Sequence, residues 1–492
     1  MNLSWHPPMP NFRYFPNSET DIKRLYSVLN VEGKKELFEK IIGDITLIDA
    51  DNLKTLSRGM DESSLYRYFE DIALKLPDKN RFSIFAGGGV YSHFVPAAID
   101  SLISRSEFYT PYTPYQPEVS QGTLFALFEF QSMAAEILGM DVVNASMYDG
   151  AESLAEAILM SLRLYLNANP NQSLQNRQPQ NNYSKNEINP HSDHLILISE
   201  GINPHYFSVI KSFIGDIKAK IETVKLDRKT GQTDLSDLKL KLKNNVSTVV
   251  IQQPNYYGII EDLGELEPLV HSFNPKPFFV VSSTEPFSFG VINPPGFYNA
   301  DIFAGEGNSF GNYMNFGGPL LGLFGAKKDY IRQMPGRIVG KTKDAKNKDA
   351  YAFILATREQ HIRRGAATSN ICTNNSLNAV RAAIYLSLCS KRGFGELSLL
   401  NLKLAHILYE KLLKTGFFEP WFSGDFFNEF TLKIKNEKIT ALRFIEKMAD
   451  KGILAGIQIA ESGILVSATE NNDMDDIERY AESAKDIIKT AV

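Results

Sequence analysis

From Leu195 onward the chain alternates short β-rich runs with helical ones: "LILIS", "IETVKL", "STVVIQ", "PFFVVSS", "ADIFAG" and "LLGLFGA", with amphipathic stretches such as "DLSDLKLKLKN" between several of them. That alternation predicts βαβ units and a mostly parallel sheet. Right-handed crossovers place ligands beyond the carboxyl ends of such strands. The loops after "LILIS", "VVIQ" and "VVSS" are therefore where chemistry is expected.

A chain of 492 residues exceeds one ordinary domain, so a large domain and at least one smaller one are expected. With 43% hydrophobic and 22% charged residues the composition is that of a soluble globular protein, and a net charge of −5 carries no basic excess for nucleic acid. The two cysteines, Cys372 and Cys389, make no disulfide framework, no CxxC pair and no metal-ligand spacing. The opening "MNLSWHPPMPNFRYFPN" has neither a basic nor an apolar leader segment, and no run approaches the roughly 18 apolar residues of a membrane helix. A cytoplasmic protein without metal or membrane contact is the expectation.

Residues 1–75 read as an N-terminal helical arm, with Ser18 and Glu19 ahead of an apolar stripe and "DESSLYRYFEDIAL" repeating the arrangement. Residues 76–345 read as the large α/β domain, and 346–492 as an interdomain helix with a small C-terminal α+β domain. Within the large domain, 167–193 is rich in Asn, Gln and Ser and nearly free of apolar residues, the composition of a mobile surface insertion.

Several segments carry residues suited to chemistry. "MYDGAESLAEA" runs Asp149, Gly150 and Ala151 into a helix, whose free N–H groups suit a phosphate. A cap by Asp149 explains the same residues and is preferred for this segment alone. "PYTPYQPEVSQG" gathers Tyr112, Tyr115, Gln116, Glu118 and Ser120 into one loop, either lining a ligand site or braced by its own aromatics. "REQHIRRGAATSNICTN" carries Arg358, His361, Arg363 and Arg364, a fork for anionic groups or a solvated helix face. His93 and His205 stand apart from other ligating residues, so surface or capping roles are expected. Glu285 follows a buried strand and can reach a heterocycle's ring nitrogen, though a loop carboxylate is the plainer expectation. Lys327 and Lys328 read as a solvated pair at a strand end. The polar, glycine-laden "ADIFAGEGNSFGNYMNFGGP" holds no lysine, cysteine or histidine.

Taken in order, "FAGGGVYSHFVPAAI", "FYTPYTPYQPEVSQGTL", "NASMYDGAESLAEA", "NPPGFYNADIFAGEGNSFG", "MPGRIVG", "REQHIRRGAATSNICTN" and "GDFFNEF" resemble the subunit 1 family of glycine dehydrogenase (decarboxylating), the P-protein of the glycine cleavage system. The similarity runs from about Phe12 to the C-terminus, outside the Asn/Gln-rich insertion. It implies a fold-type-I PLP-dependent transferase architecture, with a mostly parallel seven-stranded sheet and a small C-terminal domain. It also implies an α2β2 heterotetramer with a homologous subunit 2, which decarboxylates glycine, releases CO2 and passes the aminomethyl group to the lipoyl arm of H-protein. T-protein and L-protein are the implied functional neighbours.

In this resemblance the pyridoxal phosphate and its Schiff-base lysine belong to subunit 2. Ser309 stands about where that lysine would be, and a hydroxyl cannot form an imine. Asn203 replaces the histidine usual before Pro204, and Glu285 replaces the aspartate usual before Pro286. The resemblance thus implies no catalytic and no cofactor-binding residue in this chain. Tyr112, Tyr115, Gln116, Glu118 and Ser120, with Asn370 and Thr373 across the subunit interface, are expected to shape a site carried by the partner. The alternative is a scaffold of the same descent that only binds a partner.

Overall fold

Seven strands form the central sheet: β1 (Val142–Val143), β2 (Leu195–Ser199), β3 (Lys220–Val224), β4 (Val246–Gln252), β5 (Phe278–Ser283), β6 (Ile302–Glu306) and β7 (Gly322–Ala326). Their order is β1-β7-β6-β5-β4-β2-β3. β7 runs antiparallel to both neighbours and the rest are parallel to one another. The buried faces of β2, β4, β6 and β7 account for the unbroken apolar runs in the sequence. Helices Pro204–Ile214, Leu235–Lys241 and Leu263–His271 make the crossovers from β2 to β5, whereas β5 reaches β6 through two 3-10 turns. The chain moves outward from β2 to the edge strand β3, then back past β2 to β4. That reversal opens a crevice beyond the carboxyl ends of β2 and β4.

This computed structural model describes residues 17–42, 60–75, 82–169, 194–215, 217 and 219–490. The expected insertion at 167–193 lies outside the described residues from 170 onward. Contacts divide the chain into two compact units, Met1–Pro77 and Asp78–Val492. The first contains helices Glu19–Val28, Lys34–Ile42 and Glu62–Lys75. Ser18 and Asp21 close a reciprocal capping box at the first of these, satisfying two otherwise free N–H groups.

Within the second unit, helix Gly150–Ala168 lies across β4 to β7, burying Leu154, Ala157 and Ile158 against Val250, Val280, Ile302 and Phe324. A hairpin, β8 (Ile338–Lys343) with β9 (Asp349–Ile354), follows the sheet. Helix Ser376–Lys414 then bridges two cores and leaves helical geometry at Ser390 (φ 57°). Before that break, Ala379, Ala382 and Tyr385 pack with Leu124, Leu127 and Phe130. After it, Leu404, Leu408 and Leu412 pack with Phe418, Phe430 and Phe444 of the small domain.

The small domain is an antiparallel sheet of β10 (Phe418–Pro420), β11 (Glu429–Ile434), β12 (Ile457–Gln458) and β13 (Gly463–Ser467), in the order β10-β11-β13-β12. Helices Ala441–Asp450 and Met474–Thr490 cover it. Residues Ser83–Ile84 pair in parallel with Ile453–Leu454, so the segment that follows, from Phe85 to Pro96, is tied to the small domain and led into the crevice.

Candidate functional site

At the carboxyl end of the sheet, five stretches converge: Gly87–His93, the ends of β5 and β6, the start of β11 and the turn after β13. Between them they bury Tyr91, His93, Glu285, Ser309, Glu429 and Glu470. The His93 ring lies between two carboxylates, with Nε2 2.8 Å from Glu285 Oε2 and Nδ1 3.0 Å from Glu470 Oε2. The ring packs at a tilt against Phe287, centroids 4.9 Å apart. Burial opposes the charged imidazolium, but the two carboxylates more than offset it and raise His93 to about 10. The surface or capping role expected of His93 is therefore wrong, as is the plain loop carboxylate expected at Glu285, which is buried and ion-paired.

Ser309 Oγ donates to the same Glu285 oxygen at 3.2 Å. Asn203 caps helix Pro204–Ile214 through His205 N and donates its amide to Gly88 O. Glu429 accepts from Gly88 N at 2.6 Å and from the Tyr91 hydroxyl at 2.9 Å. Its burial lifts the carboxyl to about 8. The crevice lined by Tyr91, Asn255, Thr284, Glu285 and Glu429 leaves about 10 Å³, space for one water.

The helix start at Gly150 is closed by carboxyl groups. Asp149 accepts from Glu152 N at 2.8 Å, so the capping reading of this segment holds. Glu306, at the end of β6, accepts from four backbone N–H groups: Gly150 on Oε2 at 3.0 Å, and Gly307, Asn308 and Leu321 on Oε1 at 3.1, 2.9 and 2.9 Å. Desolvation pushes Glu306 up to about 8 against the pull of these donors. The antiparallel course of β7 puts Lys327 at the opposite end of the sheet, where its Nζ bonds to Asp301 at 2.6 Å.

The tyrosine loop lies elsewhere on the surface of this unit. Tyr112 and Tyr115 are 74% and 58% exposed, Gln116 and Glu118 are exposed, and Ser120 is half-buried. The buried Arg337, which sequence reasoning passed over, joins this loop to the 370 segment. Its guanidinium donates to Thr113 Oγ1 at 2.8 Å, Tyr115 Oη at 2.9 Å and Cys372 O at 3.0 Å, and stacks over the Tyr115 ring. Asn370 is exposed, and Thr373 N donates to the Tyr148 hydroxyl. Arg358 is buried on the carbonyls of Met334 and Gly336, while Arg363 and Arg364 are exposed. The "MPGRIVG" motif was the one signal in the sequence for Arg337.

A family model described as glycine cleavage system P-protein matches residues 12–177 and 183–482. The chain belongs to this family. Among curated P-protein relatives, the probable glycine dehydrogenase (decarboxylating) subunit 1 of Carboxydothermus hydrogenoformans is 36% identical, over 96% of this chain and 98% of its own. That of Chlorobium phaeobacteroides is 38% identical, over 95% and 98%. Among solved structures, the glycine decarboxylase (P-protein) of the glycine cleavage system, in inhibitor-bound form, matches with a TM-score of 0.81 at 33% identity, covering 97% of this chain and 100% of that one. Glutamate decarboxylase of Lactobacillus brevis matches at a TM-score of 0.66 with 13% identity, a likeness of fold alone. The expected fold-type-I architecture, with a mostly parallel seven-stranded sheet and a small C-terminal domain, is thereby met, the sheet being mixed through the antiparallel β7. No helix among the described residues is long and apolar enough to cross a membrane.

Proposed function

We propose that this chain is subunit 1 of a glycine decarboxylase, acting with a second subunit that carries pyridoxal phosphate. Together they decarboxylate glycine, release CO2 and transfer the aminomethyl group to the lipoyl group of H-protein. Ser309 carries the assignment of the cofactor to the partner: it sits in the crevice of a PLP-enzyme fold and offers a hydroxyl, bonded to Glu285, in place of an amine. A crevice with space for one water does not fit a phosphorylated pyridine ring. The residues present here therefore do not fit the cofactor, and no step of the reaction is assigned to them.

Tyr112, Tyr115, Gln116, Glu118 and Ser120, with Asn370 and Thr373, are assigned to shaping the partner's site in a cytoplasmic α2β2 complex. Arg337 supports this grouping, because one buried guanidinium bonds directly to the tyrosine loop and to the segment between Asn370 and Thr373.

Co-expression with a candidate second subunit, followed by glycine and bicarbonate exchange with lipoylated H-protein, tests the reading. The chain alone is expected to show no exchange and the complex to show it. Substituting Tyr112 or Glu118 by Ala in the complex is expected to lower turnover at least tenfold with the heterotetramer intact by sedimentation. Unchanged turnover would establish the scaffold reading instead.

A further inference from the structure

The start of helix Gly150–Ala168 and the carboxyl ends of β5 and β6 form the part of this fold where a phosphorylated ligand would be held: free N–H groups at a helix start, beside strand ends. In this chain neither feature is free. The Glu306 carboxyl takes up Gly150 N together with three further N–H groups of the loop that follows β6. A side chain on Gly150 would also collide with the Tyr206 hydroxyl and with Glu306 N, so this first turn is packed tightly against Tyr206 and the end of β6. Glu285, the carboxylate placed to meet a ring nitrogen, already meets one, the Nε2 of His93. That imidazole is buried, packed at a tilt against Phe287 and backed by Glu470 on its other nitrogen.

We infer that this chain fills the ancestral cofactor position from within, the Glu306 carboxyl occupying the seat of a phosphate and the His93 imidazole, held by Glu285, occupying that of a heteroaromatic ring. The absence of a lysine is then one of three barriers to the cofactor, and the least of them. The four N–H groups on Glu306 and the Glu285 carboxylate on His93 are already bonded internally, so binding would require expelling two buried side chains from bonds they already make. The inference rests on the fold and on these contacts, and it holds whatever partner the chain has.

Full-length variants titrated with pyridoxal phosphate test it. Ser309→Lys, which restores only the amine, is expected to give no aldimine absorbance. Ser309→Lys combined with Glu306→Gly and His93→Gly is expected to give it. Aldimine absorbance from Ser309→Lys alone, at a level equal to the triple variant, would overturn the inference.

Glu306→Gly by itself leaves three N–H groups without an acceptor, those of Gly150, Asn308 and Leu321, since Gly307 N also donates to Leu321 O, and inorganic phosphate is the probe for them. Millimolar phosphate is expected to raise the Tm of Glu306→Gly by several degrees and to leave that of the unsubstituted chain unchanged. If the variant does not stay folded alone, refolding from denaturant with and without phosphate reads the same seat. Recovery that depends on phosphate supports the inference, and phosphate-independent behaviour in either measurement overturns it. None of these readouts needs a second subunit or turnover, so their failure leaves the proposed function standing. Failure of the exchange assay likewise leaves this inference standing.

Discussion

Three buried groups at the crevice hold protons that water would not leave on them at the same pH, and all three act on stability in one direction. Glu306 and Glu429 each stand at about 8 in the folded chain against 4.5 as the ordinary value. Their preference for the protonated form stabilises the fold fully below 4.5 and is lost as pH rises toward about 8. His93, at about 10 against 6.5, contributes fully below 6.5 and loses its contribution as pH rises through about 10. Each group changes the folding equilibrium by at most about tenfold per pH unit within its window. Stability measured by denaturant unfolding is therefore expected to fall from pH 5 to pH 9, and Glu429→Gln to flatten part of that fall while gaining stability at the alkaline end. His93→Asn leaves Glu285 and Glu470 buried without a cation, with an expected cost on the order of 3 to 5 kcal/mol at pH 7. In the sequence His93 looked isolated because its partners are 192 and 377 residues away. Sequence separation of that size hides any ion pair from periodicity or spacing.

Among the elements, those that declared themselves in the sequence were the ones with their own composition. The buried strands "LILIS", "STVVIQ" and "PFFVVSS" read as apolar runs because both of their faces are covered. β1 did not declare itself: Val142–Val143 is too short for a pattern and exists only as a rung beside β7. The break at Ser390 is equally silent, since both flanks keep helical composition and only the step from one core to the other requires it. At the start of helix Gly150–Ala168 the demand is steric. Gly150→Ala puts a methyl against Tyr206 and the backbone of β6, with an expected loss of about 1 to 3 kcal/mol by denaturant unfolding. Arg337→Lys keeps the charge but loses the fork that holds Thr113, Tyr115 and Cys372 O together. Limited proteolysis is expected to cut that variant within residues 110–120 several times faster than the parent chain.

On the scale of the whole molecule, the large unit leaves Tyr109, Tyr112, Tyr115, Val119 and Ile362 exposed on and around the tyrosine loop and the 360s segment. Surface of this kind is stabilised by a partner that binds only the folded state. Thermal unfolding of the chain mixed with the candidate second subunit is expected to move up by several degrees relative to the chain alone, and Tyr112→Ala to reduce that gain. The identity of the sheet, the existence of a small C-terminal domain and the lack of a Schiff-base lysine in the loop after β6 were all determined by the sequence. Each depends on which residue types follow one another along the chain. The tertiary structure decided how that loop is closed, because Glu306, His93, Glu285 and Glu470 come from four separate stretches of the chain. Only packing brings a carboxyl onto a helix start or an imidazole between two carboxylates, and no local pattern encodes that meeting.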